Sequence, residues 1–215
     1  MKRVFALILA LCMACALFAC GKKQTEVAPG GDSPTVTPGA TDPGSGPAEN
    51  PGGSTGSAWA GTRVAVIYFS CTGNTRTAAE RIRDMTGADL YELTPEQPYT
   101  SQDLSYNNDA CRASQEQKDP AARPRIAGQP LDLSQYGTIY LGYPIWWGTA
   151  PRIINTFLDS YDLTGKTIRP FCTSGSSGIE TSVADIRAAV PEVNVTAGLR
   201  VDDPDGSDVK AWALG

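Results

Sequence analysis

The run Arg63-Val64-Ala65-Val66-Ile67-Tyr68-Phe69, followed at once by Ser70-Cys71-Thr72-Gly73-Asn74-Thr75, decides how this chain is read. Its first half is almost continuously apolar and rich in β-branched and aromatic residues. That is the pattern of a strand buried on both faces, which belongs to a parallel sheet covered by helices. Its second half is a run of hydroxyls around one glycine that opens directly into a helical stretch, Thr75 to Met85. Such a turn brings together helix N-terminal amides, the positive end of the helix dipole and short hydroxyl donors, which hold a phosphate dianion with little help from Lys or Arg. The plainer reading is a Ser/Thr helix cap with no ligand, and the neighbouring segments have to decide between the two.

Downstream the pattern repeats. Ala88 to Leu93 reads as a second strand, Leu104 to Gln117 as a helix inside a long polar connection, and Thr138 to Tyr143 as strand three. Pro151 to Ser160 reads as a helix, Thr167 to Thr173 as strand four, Ile179 to Ala189 as a helix, Val193 to Val201 as strand five and Ser207 to Leu214 as a short last helix. Strands alternating with helices imply right-handed crossovers and a doubly wound sheet, whose ligand crevice lies beyond the carboxyl ends of the strands. The loops after strands one, three and four therefore carry the functional expectation.

Those loops carry distinctive residues. After strand three comes Gly142-Tyr143-Pro144-Ile145-Trp146-Trp147-Gly148, then Thr149-Ala150-Pro151; after strand four comes Cys172-Thr173-Ser174-Gly175-Ser176-Ser177-Gly178. Together with Ser70 to Thr75, these segments resemble the three cofactor loops of a bacterial flavodoxin-like family. The resemblance runs from Arg63 to about Val201. It implies an α/β flavodoxin-like fold, a five-stranded parallel sheet in the order 2-1-3-4-5, with FMN as cofactor. Carried over position by position, it places the FMN phosphate on Ser70, Cys71, Thr72, Gly73, Asn74 and Thr75. The ring lies along Pro144, Ile145, Trp146, Trp147 and Gly148, with Thr173, Ser174, Gly175, Ser176 and Gly178 at its pyrimidine edge. Cys71 sits at a position that varies in the family.

The residue chemistry agrees. Adjacent tryptophans at a strand end are costly to expose, and a flat tricyclic ring is a natural stacking partner, Trp147 being the favoured contact; the alternative is that both plug the sheet edge. Glycine at 148 tolerates positive φ, and the family resemblance implies that the Trp147-Gly148 peptide turns its carbonyl toward N5 of the one-electron-reduced ring. Residues 173 to 178 also read as an ordinary glycine-rich turn before a helix. Tyr106, Asn107, Asn108 and Arg112 lie where a loop over the ring would sit, although exposed helix surface is the default. Arg76 either reaches the phosphate or points to solvent, and Asp202, Asp203 and Asp205 form an acidic turn whose default is solvation.

Composition removes other chemistries. With no histidine in 215 residues, His-based zinc sites, Ser-His-Asp triads and Cys-His nucleophiles are excluded, and Gly175-Ser176-Ser177-Gly178 is no nucleophile elbow. A net charge of -5 argues against a nucleic-acid partner. No metal site is expected.

At the amino end, Lys2 and Arg3 precede an apolar run from Val4 to Ala19, the layout of a secretory leader and too short to span a membrane comfortably. Leu17-Phe18-Ala19-Cys20-Gly21 resembles a bacterial lipobox, which implies cleavage after residue 19 and lipidation of Cys20. Residues 20–61, rich in Pro, Gly, Ser and Thr, read as a disordered leash, and 62–215 as the folded body. The expected location is extracytoplasmic, with membrane contact through the lipid. Cys71, Cys111 and Cys172 remain in the body, and strands one and four lie roughly 9.6 Å apart, at 4.8 Å per strand, in the expected order. A Cys71 to Cys172 bridge is then too long, so both thiols are expected free, Cys172 buried and Cys71 shielded by cofactor.

The leading functional expectation is an FMN-binding oxidoreductase or electron carrier that exchanges electrons with a partner protein or a quinone. An FMN-dependent NAD(P)H:quinone or azo-compound reductase is the alternative, and a flavin-free binding module on the same fold is a second.

Overall fold

A computed structural model describes residues 63–215. The leader, Cys20 and the leash up to residue 61 lie outside the described residues. The body contains, in chain order, β1 (Arg63–Tyr68), α1 (Asn74–Thr86), β2 (Asp89–Glu92), α2 (Arg112–Lys118), β3 (Tyr136–Pro144), α3 (Arg152–Ser160), β4 (Thr167–Thr173), α4 (Glu180–Ala189), β5 (Asn194–Val195), β6 (Leu199–Arg200) and α5 (Ser207–Leu214).

All strand pairs are parallel, in the order β2-β1-β3-β4-β5, with β6 also on β4. The alternation within β1 explains its continuous apolarity. Ala65 and Ile67, with the following Phe69, face a core built with α3 and α4, while Val66 and Tyr68 face a second core built with α1 and α5. Both faces of the strand are thus removed from water. Gly142 in β3 is required by packing, since a Cβ there would stand 2.2 Å from Cζ of the Phe171 ring on β4.

Two expectations need correction. The fifth strand is two short pieces on one edge: β5 pairs with Thr167 and Ile168, and β6 with Phe171 and Cys172. One more residue separates 195 from 199 than separates 168 from 171, so the edge bulges between the pieces. Gly198 lies in that bulge, where a Cβ would collide with Ile179 (2.5 Å) and Val183 (2.9 Å) at the start of α4. The helix expected over Leu104 to Gln117 begins only at Arg112, capped by the Cys111 sulfur, which accepts from the Ser114 amide at 3.4 Å. Residues 101–110 instead form turns tied by short-range bonds, such as Asn108 Oδ1 accepting from the Ala110 amide at 3.0 Å.

Candidate functional site

The loop between β1 and α1 ends in an uncapped helix. Gly73 is the N-cap at φ 91°, no side chain caps α1, and no acidic residue occupies its first turn. Ser70 Oγ accepts the Gly73 amide at 3.1 Å and closes the loop on itself, so this hydroxyl shapes the turn. The first-turn amides of α1 are therefore left for an anion, at the end of the helix where the dipole favours one. No Ser or Thr side chain of residues 70–75 caps the helix.

The loop after β3 is a tight hairpin turn. The Trp146 amide donates to Thr149 O at 2.9 Å and the Thr149 amide to Trp146 O at 3.1 Å, with Trp147 at φ 45° and Gly148 at φ 87° between them. Two central residues at positive φ are the mark of a type I′ turn. Glycine adopts this freely, whereas for a tryptophan the left-handed region costs about 1–2 kcal/mol. The two tryptophans divide their work. Trp146 is buried and meets Phe69 and Tyr99 edge-on, with ring centroids 5.5 and 5.1 Å away, so it plugs the sheet edge. Trp147 sits at the tip and carries the Tyr106 ring on one face, 4.3 Å between centroids and 17° between planes.

The three loops meet. Thr75 Oγ1 and Thr173 Oγ1 are hydrogen-bonded at 2.8 Å, joining the start of α1 to the end of β4. The Thr75 hydroxyl, expected on the phosphate, is thus also a cross-link between two loops. Around this junction lies an open groove of about 490 Å³, lined by Thr72, Asn74, Pro144, Ile145, Trp146, Thr173, Ser174 and Gly175. A smaller hollow of about 150 Å³ adjoins it, with Cys71, Thr75 and Trp147 in its wall. The expected residues Ser70, Gly73, Gly148, Ser176 and Gly178 line neither; Ser176 O accepts Arg200 Nη1 at 3.0 Å.

Some outcomes were not expected. Tyr106 is on no helix: its hydroxyl donates to Ile145 O at 3.2 Å, so it belongs to the aromatic turn although half exposed. Burial raises its phenol, with the Trp147 amide pulling the other way. Leu104, Tyr106, Asp202 and Pro204 join the walls, so the acidic turn stands on the rim of the groove. An aromatic residue in a polar connection was the available signal for Tyr106; nothing local marked Leu104. Arg76 turns away from the phosphate loop, holding both Glu92 carboxylate oxygens at 2.9 Å and the Tyr68 hydroxyl at 3.2 Å. All three described cysteines are free, and Cys172 is buried as expected. Burial pushes its thiol up to about 12. Cys71 is exposed as a residue, yet the walls of the small hollow desolvate its thiol and push it up to about 11, against the nearby Arg112 charge. Neither is a thiolate nucleophile at neutral pH.

The flavodoxin family profile matches residues 63–214. The chain belongs to the flavodoxin family. Two solved relatives of this flavodoxin come from Bacteroides and are assigned to the flavoproteins. The one from Bacteroides eggerthii is 43% identical over 71% of this chain and 96% of its own, at a TM-score of 0.68. That from Bacteroides uniformis is 40% identical over 71% and 97%, at 0.69. A Lactobacillus acidophilus flavoprotein solved in complex with FMN shares the fold at 23% identity over 71% and 99%, with a TM-score of 0.57. No curated protein matches the chain. Among the described residues of this flavodoxin, no cluster of metal-ligating side chains exists and no helix is long and apolar enough to cross a membrane.

Proposed function

We propose that this flavodoxin binds FMN and works as an electron carrier or FMN-dependent oxidoreductase, held outside the cytoplasm by lipid on Cys20. One observation carries the reading: α1 begins uncapped and free of acids in a groove walled by the aromatic turn and the hydroxyl loop after β4. The groove has the volume of a small-molecule site, which runs roughly 300–1,000 Å³. The flavoprotein assignment of the two Bacteroides relatives and the FMN complex known on this fold support the choice of ligand. When bound, FMN supplies the redox chemistry.

The chain's own residues have distinct tasks in this reading. The amides of Asn74 to Arg76 and the Thr72 hydroxyl hold the phosphate; Trp147 offers a ring face; Thr173, Ser174 and Gly175 meet the polar edge. Tyr106 over Trp147 covers this side of the turn. The redox partner in this reading is a partner protein or a quinone, with the NAD(P)H-dependent reductase as the alternative.

The test is direct. The purified protein, titrated with FMN, is expected to perturb the visible flavin spectrum at one equivalent; a colourless protein with no FMN affinity would establish the flavin-free module instead. Anaerobic reduction of the loaded protein then separates carrier from reductase, since a carrier passes through a long-lived one-electron-reduced form and reacts slowly with NADH and NADPH. For the anchor, Cys20→Ser is expected to abolish incorporation of labelled fatty acid and release the protein from the membrane fraction.

A further inference from the structure

The ring-binding turn is held by a residue far from it in sequence. Gln117, near the end of α2, directs its side-chain amide at the neck of the turn: Nε2 donates to Trp146 O at 2.9 Å and to Ala150 O at 3.3 Å. One NH2 group thereby spans both arms of the hairpin whose tip is Trp147-Gly148. Two carbonyl acceptors fix which end of the amide faces the loop, and the other end is left behind, because Gln117 Oε1 is buried without a hydrogen-bond partner. An orphaned buried acceptor is destabilising, so the place of this amide is explained by the two bonds its NH2 group donates. The backbone of Gln117 is pinned too, its carbonyl accepting Arg152 Nη2 at 2.8 Å from the start of α3.

The carbonyls of the turn show what this clamp does. Ile145 O accepts the Tyr106 hydroxyl, Trp146 O accepts Gln117 and the Thr149 amide, Thr149 O accepts the Trp146 amide and Ala150 O accepts Gln117. The base of the turn is occupied by donors at each of these positions. We propose that Gln117 is a positioning residue for flavin binding: it fixes the neck of the 146–149 turn so that Trp147 is presented at the hollow beside the groove in a backbone conformation tryptophan otherwise disfavours. The proposal rests on the FMN reading above and adds to it a residue outside the three loops.

The experiment compares Gln117→Met and Gln117→Glu with the wild type in the full-length protein, measuring FMN affinity and the visible spectrum of bound flavin between pH 5 and 8. Met keeps the length and removes both the donors and the orphaned acceptor, so the fold is expected to hold while FMN affinity falls about tenfold, the worth of one to two hydrogen bonds. Glu cannot donate when ionised; its affinity relative to wild type is expected to be lowest at pH 8 and to recover toward pH 5, where the protonated carboxyl can donate to Trp146 O. Taking each variant against wild type at the same pH cancels the titration of the FMN phosphate itself near pH 6. Affinity and flavin spectrum within twofold of wild type for Gln117→Met, or a flat relative pH profile for a folded Gln117→Glu, would overturn the role. If Gln117→Glu does not fold, Gln117→Met decides, and if neither folds Gln117 is a fold determinant and the proposal is wrong. Failure of the wild type to bind FMN removes the underlying reading instead.

Discussion

The aromatic turn sets two residues against each other. Gly148 lies at φ 87° with open space where a Cβ would be, and Trp147 lies at φ 45° beside it. A substitution at 148 therefore meets no steric neighbour and registers the backbone conformation alone. Gly148→Ala is expected to destabilise the protein by about 1–2 kcal/mol in urea unfolding. Trp147→Gly should do the opposite to the backbone and remove the stacking surface: stability is expected to hold within about 1 kcal/mol, because relief of the left-handed tryptophan offsets the lost contact with Tyr106, while FMN affinity drops by up to about tenfold. A parallel loss of stability and affinity would mean that Trp147 serves packing only. This is also where sequence reading reached its limit. The glycine was legible as a conformational requirement, but the positive φ of its tryptophan neighbour follows from a hydrogen-bond pair between 146 and 149 that no local pattern announces.

At the scale of elements, the strands were the most legible: β1 starts at the expected Arg63 and stops one residue short of Phe69, and β4 occupies the expected residues end to end although Arg169 interrupts its apolar run. The misses occur where side chains compete with the backbone or where a neighbour intrudes. Residues 101–110 are dense in Ser, Asp and Asn that bond locally and outcompete a helix, and the β5–β6 edge breaks where α4 comes too close for a Cβ at 198. Local carboxylates elsewhere stabilise turns in a way that depends on pH. Backbone and hydroxyl donors at Thr100 hold Asp103 below the usual carboxylate range, and donors from Ser134 and Thr164 do the same for Asp132 and Asp162. A depressed folded value means the unfolded chain takes up protons first, so the contribution is complete above the unfolded value of about 3.9 and is lost as pH falls through the folded values. Asp132→Asn keeps an acceptor for the Ser134 amide and removes the charge. Its destabilisation relative to wild type is expected at pH 7 and should shrink as pH falls below the unfolded value; a difference independent of pH would show that the charge is irrelevant there.

At the scale of the whole molecule, the doubly wound sheet brings loops separated by about a hundred residues to one edge, as the Thr75 to Thr173 bond records. That convergence was legible from topology alone, since the carboxyl ends of β1, β3 and β4 must lie together in the order 2-1-3-4-5. The contribution of Gln117 was not, and that of Tyr106 was legible only as an alternative to exposed helix surface, because both come from the connection between β2 and β3, whose path over the sheet edge is set by tertiary packing. A ligand gripped by several elements at once should stabilise the fold as a unit. At an FMN concentration of 100 times its Kd, linkage gives about 2.7 kcal/mol, and for a body of this size each kcal/mol raises Tm by roughly 2–4 °C. FMN is therefore expected to raise Tm by about 5–10 °C. Riboflavin offers the same ring and lacks the anion, so the uncapped start of α1 should contribute little to its binding, and at equal concentration its shift should be under half as large. Equal shifts for the two ligands would mean that the amides of Asn74 to Arg76 hold no phosphate. The α1 terminus would then need another occupant, with the ring contacts at Trp147 accounting for all of the flavin affinity.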